Sequence, residues 1–206
     1  MINKRSLLRR SAGPTVAASA AFVLAACGNG NDASTGQNGH EAVTPSASAP
    51  ASQGQHNAAD VAFAKGMIPH HRQGIEMAGL ASSRAQSAEV KKLAADTKTA
   101  QGSQITTLTA LLPTWGEQVP AEGDHSGHDM AGTMSPQEME KLKNSSGAAF
   151  DTAFMELMIK HHQGAVEMAK TEKAQGVSPD AKTAADAIVA SHSAEIEQMN
   201  KLLGRS

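Results

Sequence analysis

From residue 58 onward, apolar side chains return every three or four positions in four long stretches, with polar residues between them. That period is the mark of amphipathic helices. The first predicted helix starts after Asn57, a capping residue, carries Asp60 in its first turn and runs to about Ala85. The second follows Ser87, with Glu89 near its start, and reaches about Leu112 before Pro113, Trp115 and Gly116 end it. A short piece opens at Ser135-Pro136, with serine at the cap and proline at the first helical position, and extends to about Lys143. The third long helix follows residues 144–147 and ends near Lys173, closed by Gly176. Ser178-Pro179 opens the fourth, which ends at Gly204. Four long helices with short links inside each pair predict an all-α fold, a four-helix bundle. The longer joint between the second and third fits a crossover or a tight return.

The first and third helices are copies. DVAFAKGMIPHHRQGIEMA (residues 60–78) returns without a gap as DTAFMELMIKHHQGAVEMA (residues 151–169), so equivalent residues are as far apart as Asp60 and Asp151. The register persists downstream: Ser87 falls on Ser178, Ile105 on Ile196, and Leu111-Leu112 on Leu202-Leu203. Two helical hairpins, 58–112 and 147–206, therefore form the 58–206 domain, joined by a connection over 113–146. Pro69 removes one backbone hydrogen bond and predicts a kink just before His70; the second copy has Lys160 at that place.

With about 100° per residue, Phe63, Met67, His70, His71, Gly74, Met77 and Ala78 share one helical face, and so do their counterparts around Met158, His161, His162 and Met168. A methionine stripe at this spacing is ordinarily core, and that is the expectation for Phe63, Ile68, Phe154 and Ile159. A single His-His pair is ordinarily solvated or hydrogen-bonded. Two pairs, each flanked by methionine on the same face, point instead to metal. Thioether is soft and imidazole borderline, a set that suits Cu(I) and, with more imidazole, Cu(II); zinc more often takes Cys or carboxylate beside His. The expected ligands are Met67, His70, His71, Met77, Met158, His161, His162 and Met168. His125, His128, Met130 and Met134, in the loop HSGHDMAGTM, are possible additional donors against the default of an acidic loop. His192, which stands where the first copy has Gln101, is a further candidate, against the blander reading of a helix-packing polar residue. Glu76 and Glu167 lie on the far side of the helix, and Arg72 is the expected partner of Glu76.

The start of the chain adds an address. Lys4, Arg5, Arg9 and Arg10 precede a short apolar run over 17–26 and then Cys27, the chain's one cysteine. The run reads as a signal peptide over 1–26, and the ending Leu-Ala-Ala-Cys resembles a bacterial lipobox, which implies acylation of Cys27. Residues 27–57 are rich in Gly, Ser, Ala, Asn and Pro and read as a flexible tether in which His40 and His56 are solvated. With one cysteine there is no disulfide and no thiolate metal site. Formal net charge is −2 for the whole chain and more negative without the basic start, which argues against nucleic acid as a partner.

MIPHHRQGIEMA and GAAFDTAFMELMIKHHQGAVEMA resemble the two hallmark segments of the bacterial family catalogued as domain of unknown function 305, over roughly residues 58–203. The resemblance implies a ferritin-like bundle, export, and a lipid-anchored protein of the cell envelope or periplasm that binds copper through the Met/His pairs, for sequestration, tolerance or hand-off to a metal-exchange partner. The expectation is binding without catalysis, with the membrane touched through the lipid anchor alone. A ferritin-like label could also imply a di-iron redox enzyme, but such sites need a Glu-x-x-His motif from each of two helices, and the sequence has that spacing once, at Glu122 and His125 in the polar connection. The alternative reading is a non-metal protein-interaction module of the cell envelope, in which the His/Met faces are helix or subunit contacts.

Overall fold

The computed structural model describes residues 55–123 and 130–205. The signal segment, most of the tether, His40, Cys27, His125 and His128 lie outside the described residues. The described elements are α1 (Ala58–Arg84), α2 (Ala88–Thr114), α3 (Pro136–Asn144), α4 (Gly147–Gln175) and α5 (Pro179–Leu202). The local signals act where the sequence puts them. Asn57 and Ser135 form reciprocal capping boxes with Asp60 and Glu138, and Ser87 and Ser178 cap α2 and α5. α1 runs unbroken through Pro69, and α2 extends past Pro113 to Thr114, two residues beyond expectation. No described helix is long and apolar enough to cross a membrane.

Each hairpin packs α1 on α2 or α4 on α5, α1 and α4 lie side by side, and α2 meets α5 over a shorter stretch. Neighbours run antiparallel: Asp60, at the start of α1, reaches the α4–α5 turn, while Asp151, at the start of α4, reaches the α1–α2 turn. These two aspartates are repeat equivalents, and each caps the other hairpin. Asp151 accepts the backbone N–H of Gln86 and Ser87 (3.0 and 2.8 Å), and Asp60 accepts those of Val177 and Ser178 (3.1 and 2.9 Å). Two hairpins that bury one face each are thus also stapled at both ends.

The long joint is a crossover. It leaves the end of α2, where His56 stacks on Trp115 (ring centroids 5.3 Å apart) and so departs from the expected solvated tether. It then runs over the α1–α4 seam to the start of α4. Gln73 clamps it by bonding both backbone groups of Met134 (2.7 and 3.0 Å), and His70 bonds the Ala131 carbonyl. Glu76 pairs with Lys143 of α3 (2.9 Å), while Arg72, its expected partner, donates instead to the carbonyls of Pro120 and Ala121. The i, i+4 spacing was sound, but the crossover offers both residues closer partners.

Glu172 is 1% exposed, lies against Asp60 and receives no N–H or O–H donor. Burial raises its carboxyl to about 7, helped by the hydrogen bond and charge of Asp60. Burial also pushes Asp60 upward, but bonds from Glu172 and from the Ser178, Asn57 and Val177 backbone outweigh it and hold Asp60 below the usual value. Glu172 therefore carries the proton between them. Because its folded pKa exceeds 4.5, its stabilising effect is complete below that pH and is lost as pH rises to about 7. Glu172→Gln keeps a donor to Asp60 without a titration. The variant is expected to melt above wild type at pH 8, with the gap closing by pH 5, in thermal melts at both values.

Candidate metal centre

The apolar core is in two parts. One end of the bundle holds Met77, Met134, Phe150, Phe154, Met158 and their neighbours; the other holds Phe63, Met67, Ile68, Leu108, Ala165 and Ile188. Between them lies a polar waist of His70, His71, Gln101, His161, His162 and His192, each 0% exposed. All four long helices contribute. The shared-face reading of the sequence explains why both His pairs point inward. It could not show that the two pairs meet in one layer.

His70 and His161, repeat equivalents, stack at 3.9 Å between ring centroids. His192 lies 4.1 Å from His162 and 5.3 Å from His71. His192 is a buried polar residue of α5 packed against two other imidazoles. Gln101, its repeat equivalent, is the first copy's contribution: Gly74 leaves room for it, since a Cβ there would lie 2.2 Å from Gln101 Oε1 and 2.8 Å from His161 Cε1.

The hydrogen bonds fix the tautomers. A carbonyl only accepts, so His70 donates from Nε2 to Ala131 O (3.2 Å) and His161 donates from Nε2 to His70 O (2.9 Å). His162 donates from Nε2 to Glu195 Oε2 (2.8 Å), an acceptor that the sequence reading missed. The Ser191 hydroxyl donates to Ile188 O, which leaves its oxygen to accept from His192 Nδ1 (3.2 Å). A neutral ring with one N–H presents a lone pair on the other nitrogen. The lone pairs are then on Nδ1 of His70, His161 and His162 and on Nε2 of His192, and all four are buried without a partner, as are both nitrogens of His71. Burial holds four of the rings neutral: it depresses His70 to about 4 and takes His71, His161 and His192 well below the ordinary value, with repulsion from the neighbouring imidazoles adding to it.

The thioethers flank this waist in a way that the single-helix reading did not foresee. The two methionines of one motif go to opposite ends: Met67 packs in the cluster that Met168 joins, and Met77 packs in the cluster of Met158. The crossover adds a methionine to each. Met134 is fully buried with Met77 and Met158, and a Cβ on Gly66 would lie 3.0 Å from Met130 Sδ and 3.1 Å from Met168 Cε. Neutral imidazoles with free lone pairs between thioether clusters are a donor set that fits a soft or borderline ion. Among the described residues no three His, Cys, Asp or Glu side chains converge on one point; the rings stack, so an ion would be held only after some of them turn.

A duplicated helical hairpin with an imidazole waist between methionine clusters is the class defined by this fold. The chain belongs to the family described as Domain of unknown function (DUF305), which matches residues 60–203. Among solved structures it is similar to a DUF305 fragment from Deinococcus radiodurans (TM-score 0.66, 30% identity, 73% of this chain and 98% of that chain). A DUF305 protein from Streptomyces coelicolor, inferred to be secreted, gives TM-score 0.64 and 31% identity, with 71% and 92% covered. CopM in its Cu(II)-bound form gives TM-score 0.61 and 36% identity, with 69% and 94% covered; CopM has also been solved with Cu(I) and with silver. The curated proteins include no match.

Proposed function

We propose that this chain is an exported, lipid-anchored copper-binding protein that holds the metal through His and Met for sequestration, tolerance or hand-off, without turnover. The observation that carries the reading is the waist: six ring nitrogens of five fully buried histidines have no hydrogen-bond partner. Leaving a buried polar group unpaired costs about 1–3 kcal/mol, and packing alone gives no return for several such costs in one layer. A ligand that uses the lone pairs does. His70, His71, His161 and His162 are the proposed nitrogen donors, with Met67, Met77, Met158 and Met168 supplying thioethers from either side. Bound copper would be held as a soft, water-excluded ion. Similarity to CopM, whose structures are described as Cu(I)-, Cu(II)- and Ag-bound, supports the same class of ion. The basic start, the short apolar run and Cys27 support export and acylation.

Anaerobic competition for Cu(I) against a chromophoric chelator tests the reading. Wild type is expected to take copper from the chelator. Replacing His70, His71, His161 and His162 by Ala should abolish that competition while leaving the helical circular dichroism largely intact. Unchanged copper stoichiometry in the quadruple variant would sink the ligand assignment. A folded wild type that fails to compete would favour the interaction module, with the histidines as architecture.

A further inference from the structure

The two hairpins are not equal at the waist. Where the first has Gln101 and Gln104, the second has His192 and Glu195. Both differences run the same way, from a neutral amide to a metal donor or an anion. Glu195 Oε2 accepts from His162 Nε2 at 2.8 Å and from Thr97 Oγ1 at 2.7 Å, so the carboxylate is held against the ring. Gln104 lies beside His71 but leaves both ring nitrogens of His71 unpaired, spending its own N–H on Ser191 Oγ (3.1 Å). Among the described residues, Glu195 is the one carboxylate hydrogen-bonded to a waist histidine.

We propose that His71, His162 and His192, with Glu195 behind His162, form a subsite for a divalent, nitrogen-preferring ion of the Cu(II) class, distinct from the thioether-flanked remainder that takes Cu(I). The inference rests on the copper reading above and adds a division of labour within it. His192 lies between His162 and His71, and the lone pairs on His162 Nδ1, His192 Nε2 and His71 are all free. Three imidazoles suit Cu(II) better than thioethers do. A divalent ion in a dry interior also brings two positive charges, and an unpaired buried charge is expensive. Glu195 offsets one of them through His162, and a carboxylate behind a ligating imidazole raises its basicity and fixes its ring. Cu(I) has less need of that charge.

Access agrees with the assignment. The crossover roofs the α1–α4 seam, on the His70–His161 side. The α2–α5 seam instead carries an open groove of about 520 Å³ lined by Gln104, Thr107, Ala184 and Ala187. Gln104 bonds Ser191, which bonds His192. The groove is thus linked to the His192 side of the waist through Gln104 and Ser191. The rings stack there at 26–27° between planes, so loading requires at least one of them to turn about its side-chain bonds.

Two variants of the intact protein test this. His192→Gln installs the amide of the first hairpin, and Glu195→Gln removes the charge at a partly exposed position. Cu(II) is followed by electron paramagnetic resonance and Cu(I) by anaerobic competition. Wild type should bind Cu(II) with nitrogen hyperfine structure from three imidazoles. Glu195→Gln should weaken Cu(II) by ~10–100-fold, His192→Gln by at least as much with one nitrogen fewer, and both should weaken Cu(I) far less. Should His192→Gln fail to fold, Glu195→Gln carries the test alone. Unchanged Cu(II) affinity in the folded variants, or equal losses of both ions, would overturn the subsite. Wild type that binds Cu(I) but not Cu(II) would overturn the subsite and leave the copper reading standing. Wild type that binds neither would remove both.

Discussion

The metal-free protein is expected to unfold as pH falls from 6.5 toward 4. His70 is depressed to about 4, and His71, His161 and His192 also lie well below 6.5. Their folded pKa values are below the unfolded one, so the unfolded chain takes up protons first on acidification. The stability they allow is complete above 6.5 and is lost as pH falls through the window below it. Each such group contributes a slope of up to ~1.4 kcal/mol per pH unit, and the four act in the same direction. Glu172 works the other way between 4.5 and about 7, but it is one group against four. Against a total domain stability of roughly 5–15 kcal/mol, that loss is a large fraction. Circular dichroism of the metal-free protein against pH should give a cooperative midpoint near 5. Saturating Cu(I) should move the midpoint to lower pH, because metal and proton compete for the same lone pairs. A flat profile down to pH 4 would mean that the rings are hydrated or already charged.

That sensitivity was partly legible in the sequence. The repeat and the helical period put His70, His71, His161 and His162 on inward faces, and capping residues fixed the helix starts, because both are short-range properties. What lay beyond reach depended on how the hairpins dock. The stacking of His70 on His161, and the division of each motif's methionines between opposite ends, follow from antiparallel packing of α1 and α4. Glu195 carries no signal of its own in the sequence; it matters because α5 brings it to His162. Its alignment with Gln104, and that of His192 with Gln101, was visible, and the paired change from amide to donor is the clue that comparing the copies position by position would have raised. The direction of the crossover likewise needed the structure. Gln73 and Gly164 are repeat equivalents with different residues, and that difference is where the crossover is received.

Gly164→Val should loosen this roof. Gly132, at φ 81°, and Gly164 bring the crossover backbone directly onto α4: a Cβ on Gly164 would lie 1.9 Å from the Ala131 carbonyl oxygen and 2.7 Å from Gly132 Cα. Helix propensity alone favours replacing glycine, by less than about 1 kcal/mol. The clash is with backbone rather than with a flexible side chain, so no rotamer change relieves it, and overpacking of this kind costs about 1–3 kcal/mol or more. The crossover must lift, and lifting it removes the Ala131 acceptor from His70. Melting should fall by several degrees, at about 2–4 °C per kcal/mol for a domain of this size. More tellingly, His70 and His161, both 0% exposed, should become reactive toward diethyl pyrocarbonate at a pH where the protein remains folded, while His192 on the other seam should not. Unaltered histidine reactivity together with an unaltered melting temperature would mean that the crossover is not what seals the waist. Increased reactivity confined to His70 and His161 would assign the crossover as the cover of that half alone, leaving the α2–α5 groove as the way in to the other.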